Sequence, residues 1–147
     1  MPTSPYDFIR RGRDMRFATS AGTDMHERLR KIVIDGAAAR GDAELIARIQ
    51  TNAPLAEYFG PHARTEVPVA GTINGRFISR RIDRMIVDTA AKTIKILDYK
   101  TDTDRGARRD KYKTQLQEYR DLLGAIYPGF TISAAILWTH DWTLEII

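Results

Sequence analysis

The chain has 147 residues, of which 43% are hydrophobic and 29% charged, with a formal net charge of +4 and no cysteine. That length suits one domain with a single core, and the composition is that of an ordinary globular protein. The lack of cysteine excludes disulfides, thiolate zinc sites, cysteine-ligated iron–sulfur clusters and a cysteine nucleophile.

No apolar run approaches the length of a membrane span; Ala134 to Trp138 is among the longest. The opening MPTSPYDFIRRGRDMR has no apolar h-region, so no signal peptide is expected and the cytoplasm is the expected compartment. Basic residues cluster twice, at Arg10, Arg11, Arg13 and Arg16, and at Arg105, Arg108, Arg109, Lys111 and Lys113. Such runs are often only solvated surface, but a basic loop beside a reactive site favours phosphate contact.

In chain order, residues 1–20 carry Pro2 and Pro5 without a clear period and read as an N-terminal arm, leaving 21–147 as the domain proper. A helix is expected from Thr23 or Asp24 as N-cap, with Glu27 at capping-box distance from Asp24. His26, Leu29, Val33 and Ala37 carry its period as far as Gly41-Asp42. Ala43 to Gln50 reads as a second short helix ended by Asn52-Ala53-Pro54, and Leu55 to Phe59 as a further turn. Arg64 to Ala70 alternates as a strand, and Pro68 places it at an edge or bulge.

Two β-rich runs, Arg76 to Val87 and Thr93 to Lys100, flank a short polar turn and read as a hairpin. TDTDRGARRD reads as a loop, and a helix is expected from about Lys111 to Ile126, closed by Pro128-Gly129. Thr131 to Thr139 is apolar enough for a central strand, and Trp142 to Ile147 is a candidate for another. The order predicts an α/β fold, helices packed on a mixed sheet. The crossover between Lys100 and Thr131 has the length of a βαβ unit, so the strands it joins are expected to be parallel.

The hairpin carries the chemistry. If Asp88 pairs with Thr93, then Asp83 falls opposite Asp98, and directly opposed residues have Cβ atoms only about 5 Å apart, where like charges repel. Asp98 and Lys100 share a strand face with Ile94 and Ile96. A divalent cation between the carboxylates would remove the repulsion, and hard oxygen ligands suit Mg²⁺ or Mn²⁺. The bland alternative is a pair of surface aspartates answered by Arg81, Arg84 or Lys100. Apolar neighbours Ile82, Ile96 and Leu97 argue for burial, where an unpaired carboxylate is expensive. Lys100 is suited to orient a water or stabilise phosphate charge, or to bridge to Asp98.

Asp83, fourteen intervening residues, then Asp98-Tyr99-Lys100 resembles the PD-(D/E)XK nuclease superfamily. RRIDRMIVD, ILDYKTD and YKTQLQEYRDLL together resemble its RecB-type branch, with Gln115 and Tyr119 four apart on one helical face. Gly22-Thr23-Asp24-Met25-His26 is similar to the family's Gly-x-x-x-His element. EVPVAGTINGRFISRRIDRMIV, LLGAIYPGF and AAILWT resemble the C-terminal nuclease domain of AddA-type helicase–nuclease subunits, so the likeness runs from Gly22 to Ile147.

The resemblance implies a restriction-endonuclease-like core and a metal-dependent deoxyribonuclease, as in DNA end processing for double-strand break repair. It implies Mg²⁺ or Mn²⁺ held by His26, Asp83, Asp98 and the Tyr99 carbonyl, with Glu66 nearby. Lys100 would act on the attacking water, and Gln115 and Tyr119 would brace the site or touch the DNA backbone. Its partners would be DNA and, in a full assembly, a helicase motor with a second subunit. His62 and His140 read as structural or surface residues, and Trp138 and Trp142 as core. Two features depart from the pattern: Arg80 stands where relatives carry a small glycine, and no GxxxxGK[ST] motif is present for ATP-driven unwinding. The alternative function is a catalytically silent DNA-binding or docking domain.

Overall fold

The computed structural model describes residues 20–103 and 105–147, and the side chains of 24–103 and 106–147. The arm expected over 1–20 and the early arginine cluster lie outside the described residues, apart from Ser20, where the first helix begins.

Helix α1 spans Ser20–Arg30 and is followed by a small hairpin, β1 Val33–Asp35 and β2 Ala38–Arg40. Then come α2 Ala43–Gln50, α3 Ala53–Ala56 and a 3₁₀ turn Glu57–Phe59. The sheet strands are β3 Arg64–Ile73, β4 Arg76–Asp88, β5 Thr93–Lys100, β6 Thr131–Trp138 and β7 Thr143–Ile146, with helix α4 Arg105–Ile126 between β5 and β6. Their order across the sheet is β3-β4-β5-β6-β7, all neighbours antiparallel except the parallel pair β5 and β6. The fold is mixed α/β, with the βαβ crossover and the Asp88–Thr93 hairpin register expected from the sequence.

Helices cover both faces of the sheet. On one face α4 presents Leu116, Tyr119, Leu122 and Leu123 to Ile82, Met85, Ile94, Ile96, Ile136 and Trp138. On the other, Leu29 and Ile32 with α2, α3 and the 3₁₀ turn cover Leu97, Tyr99, Ala135 and Leu137. β5 and β6 are central and buried on both faces, which is why they read as near-continuous apolar runs. β3, with Pro68, is an edge strand.

Three expectations need correcting. The first helix does not run to Gly41: it ends at Arg30, and Val33 and Ala37 fall in the β1–β2 hairpin, which turns at Gly36 with a φ of 60°. Thr23 and Asp24 are inside α1 rather than capping it, and His26 lies in its second half. Helix α4 starts six residues earlier than expected, so the cluster from Arg105 to Lys113 sits on a helix, not a loop. Asp42 and Asn52 are the N-caps the sequence leaves unmarked: their side chains accept from the Leu45 and Leu55 amides.

Candidate active site

Strand β4 changes face at Asp83. Ile82 packs in the α4-facing cluster, Arg84 reaches the opposite layer, and Met85 is back under α4. Strict alternation would put Ile82 and Arg84 on one face, so the phase slips by one residue between them. Across the hairpin, Thr65 pairs with Arg84 and Val67 with Ile82, while Glu66 and Asp83 between them drop out of the ladder. Glu66 has a φ of 52°, a strained value for a side chain inside a strand. Its carboxylate stands 3.8 Å from Arg81 Nη1, and its Oε2 is buried without a hydrogen bond.

The ladder between β4 and β5 ends at Arg84–Leu97, one pair short of Asp83 and Asp98. The register is the expected one, which sets Asp83 opposite Asp98, but the ladder forms no pair there. Instead the strands part, and Asp83 Oδ2 accepts the Tyr99 amide at 2.9 Å, replacing a ladder bond with a side chain. Asp83 and Asp98 are 3% and 1% exposed and interact through their carboxyl groups in this opening. Neither is a surface aspartate.

Their environments drive the two carboxyls apart. Burial, the largest influence on each, raises both. At Asp83 the hydrogen bond and charge of His26, then Asp98 and Lys100, outweigh burial and hold it well below the carboxylate range. At Asp98, Lys100 opposes burial but Asp83 adds to it, and the carboxyl is pushed up to about 6. Two carboxyls with separated proton affinities form an acid–base pair.

His26 comes over from α1, with Nε2 3.5 Å from Asp83 Oδ2 and its ring edge-on to Tyr99 at 5.4 Å between centroids. Lys100 Nζ is 2.8 Å from Asp98 Oδ2 and donates to Gln115 Oε1 at 3.1 Å. Gln115 Nε2 donates to Tyr119 Oη at 2.9 Å, and Tyr119 Oη donates to the Arg81 carbonyl at 3.2 Å. A single polar line thus runs from Asp98 through Lys100, Gln115 and Tyr119 back to β4. Tyr119 is fully buried, so of its two expected roles, bracing and backbone contact, only bracing is sterically open. Tyr119→Phe keeps the ring and removes two hydrogen bonds. It is expected to cost about 1–2 kcal/mol of stability by urea unfolding, with the loss of Gln115 restraint read as a modest fall in activity.

Two contributors escape sequence reasoning. Tyr112 lays its ring over Lys100, 4.2 Å from Nζ to the centroid, and packs against Trp138. Its hydroxyl donates to Asp102, just beyond β5, and burial followed by that bond pushes the phenol up to about 12. Its spacing of three from Gln115 and seven from Tyr119 is the signal that places it on the same helical face. The other is Arg84, the arginine of the Ile-Asp-Arg segment, which is 1% exposed. The sequence offers it only as a charge near Asp83, one of four arginines in β4, and does not single it out as the buried one.

The remaining residues fall away from the site. Arg80 pairs with Glu118 of α4 at 3.0 Å, on the side of Ile82. His62 is exposed, and His140 stands 3.5 Å from Asp141. Trp138 is wholly buried and donates to Glu145, which excludes base stacking, while Trp142 packs at the margin of the second core cluster. On α4, Arg108 faces Asp102 at 3.7 Å and Arg109 faces Glu145 at 2.6 Å, while Lys111 and Lys113 are exposed.

No family model matches the sequence, and neither does any curated protein. Among the described residues, no group of three or more His, Asp or Glu is already gathered about a common point for a metal. The donor chemistry nevertheless fits a hard cation. Asp83 and Asp98 are buried carboxyls of the type such an ion takes, the His26 imidazole stands 3.5 Å from Asp83, and Asp98 Oδ2 is answered by Lys100 Nζ at 2.8 Å. Among the described residues, no helix is long and apolar enough to cross a membrane.

Proposed function

We propose that this chain is a divalent-metal-dependent DNA nuclease of restriction-endonuclease-like fold, hydrolysing phosphodiester bonds in DNA end processing. The observation that carries the reading is the buried Asp83–Asp98 pair with Lys100 held beside it by Gln115. Structural proteins rarely bury two interacting carboxyls, because each loses its hydration. A site for chemistry on phosphates uses such a pair.

His26, Asp83, Asp98 and the Tyr99 carbonyl would hold Mg²⁺ or Mn²⁺, with Glu66 close by. When bound, such an ion polarises the scissile phosphate and lowers the pKa of water. The chain's own residues do the rest. Asp98, as a ligand of the ion, would be held ionised in the loaded site, and the attacking water would give up its proton to solvent. Lys100, fixed by Asp98, Gln115 and the Tyr112 ring, directs an N–H at the water or at the phosphate oxygen on which charge develops. The water oxygen bonds to phosphorus, the bond to the departing sugar oxygen breaks, and that oxygen takes up a proton. The exposed Lys111 and Lys113, next to Tyr112 on α4, are placed to receive the polyanion. A helicase motor and a second subunit are the partners this reading calls for, and the cytoplasm its compartment.

The test is incubation of the purified chain with linear and circular, single- and double-stranded DNA in Mg²⁺, Mn²⁺ or EDTA. Metal-dependent degradation is the expected result, and cutting of circular DNA would mark endonuclease action. DNA retained in a gel but uncut under every metal would replace this reading with a silent binding domain.

A further inference from the structure

The guanidinium of Arg84 is buried, and among the described residues it forms no ion pair with a carboxylate. Its Nε donates to Tyr99 Oη at 2.8 Å, Nη1 to the Tyr58 carbonyl at 3.0 Å, and the group lies 4.1 Å from the Phe59 ring centroid. Nη2 is directed at three carbonyls at the end of α1, those of Leu29 at 3.1 Å, Arg30 at 3.4 Å and Ile32 at 2.9 Å. Leu29 and Arg30 close α1 and Ile32 follows two residues on; the Leu29 carbonyl also accepts the Ile32 amide, so Nη2 shares the last turn's carbonyls, at the negative end of the helix dipole. They provide a distributed counter-charge to the guanidinium.

We propose that Arg84 is a positioning residue that clamps the C-terminal end of α1 to β4 and β5 and thereby holds His26 against Asp83. The circuit is short and closed. Arg84 follows Asp83 in β4, it grips Leu29 one turn beyond His26, and His26 reaches back to Asp83 at 3.5 Å. Tyr99 ties the loop a second time, accepting from Arg84 through its hydroxyl and donating to Asp83 through its amide. The alternation slip at Asp83 is what makes this possible, because it sends Asp83 into the opening while Arg84 points into the α1 layer. Lysine cannot replace this arrangement, since a single ammonium cannot serve Tyr99, Tyr58 and the helix end at once. The proposal rests on the reading of His26 and Asp83 as metal ligands.

The experiment compares the full chain, Arg84→Lys and a stability control, Leu122→Ala, which truncates a side chain on the sheet-facing side of α4. Mn²⁺ affinity is measured by calorimetry, and amide hydrogen exchange is followed in EDTA. Arg84→Lys is expected to weaken Mn²⁺ binding about ten- to a hundredfold and to speed exchange in α1 while α4 stays protected. Leu122→Ala should loosen α4 and leave Mn²⁺ affinity unchanged. Wild-type Mn²⁺ affinity in Arg84→Lys, unchanged α1 protection, or an equal affinity loss in the control would each overturn the clamp. If the wild type itself takes up no Mn²⁺, the metal reading of the site fails, and the exchange data alone then decide whether Arg84 clamps α1.

Discussion

Asp98→Asn is expected to abolish metal-dependent cleavage, by about a thousandfold or more, and to make the metal-free protein more stable. The first effect follows from removing an anionic ligand whose contribution to transition-state charge is several kcal/mol, at about 1.4 kcal/mol per decade of rate. The second follows from linkage. Burial and Asp83 raise Asp98 from an ordinary value of 3.8 to about 6, so the folded state holds this proton more tightly than the unfolded chain does. Asp98 therefore adds stability at low pH, and that contribution is lost as pH rises through about 6. Asparagine imitates the protonated form, so in EDTA at pH 8 the variant should gain about 1–3 kcal/mol over wild type. The gain should shrink to nothing near pH 4. Asp83 behaves oppositely: held low by His26, it supports the fold above its unfolded value and ceases to do so as pH falls. Thermal unfolding from pH 4 to 8, with and without Mn²⁺, checks this. Cleavage within tenfold of wild type would remove Asp98 from the mechanism.

Lys100→Met separates charge stabilisation from metal binding. Activity is expected to fall about 10²–10³-fold, the usual cost of removing one directed donor from a site of developing charge. Mn²⁺ affinity should persist, because the lysine competes with a cation for Asp98 Oδ2 rather than binding it. Stability should also suffer. Lys100 and Asp98 are 2.8 Å apart with side chains 10% and 2% exposed, so the variant leaves a buried carboxylate opposed only by like charge. Losing one partner of such a pair costs up to about 3–5 kcal/mol, less wherever the carboxyl protonates. Adding Asp98→Asn should return most of that loss, so the double variant is expected to be more stable than Lys100→Met alone. If the loss from Lys100→Met and the gain from Asp98→Asn simply add, the contact carries no net coupling and the electrostatic account of the site is wrong.

Much of the fold was legible because it is written in local patterns. The Asp88–Thr93 turn fixes the hairpin register, the alternation in Thr93 to Lys100 sets Asp98 and Lys100 on one face, and the apolar run at Thr131 announces a buried strand beside β5. The end of α1 was not legible. Leu29, Val33 and Ala37 keep a helical period across a segment that turns into a small hairpin at Gly36. The early start of α4 was hidden too, since a run rich in arginine, aspartate and glycine has no apolar period to mark it.

For the candidate site, the hairpin spacing alone brought out Asp83, Asp98 and Lys100, and the resemblance to a nuclease family added Gln115 and Tyr119. Tertiary structure decided how they meet. The slip at Asp83, the strained Glu66 opposite it, and the end of the β4–β5 ladder at Arg84 and Leu97 interrupt a regular sheet where the buried acids lie. Arg84 acquires its role only because the end of α1 arrives from far upstream to present carbonyls to it, and Tyr112 because α4 packs back on the sheet and lays its ring over Lys100 of β5. The physical reason is one of range. Periodicity and turn chemistry are properties of neighbouring residues, whereas burial and the partners that satisfy a buried charge exist only once the layers have packed.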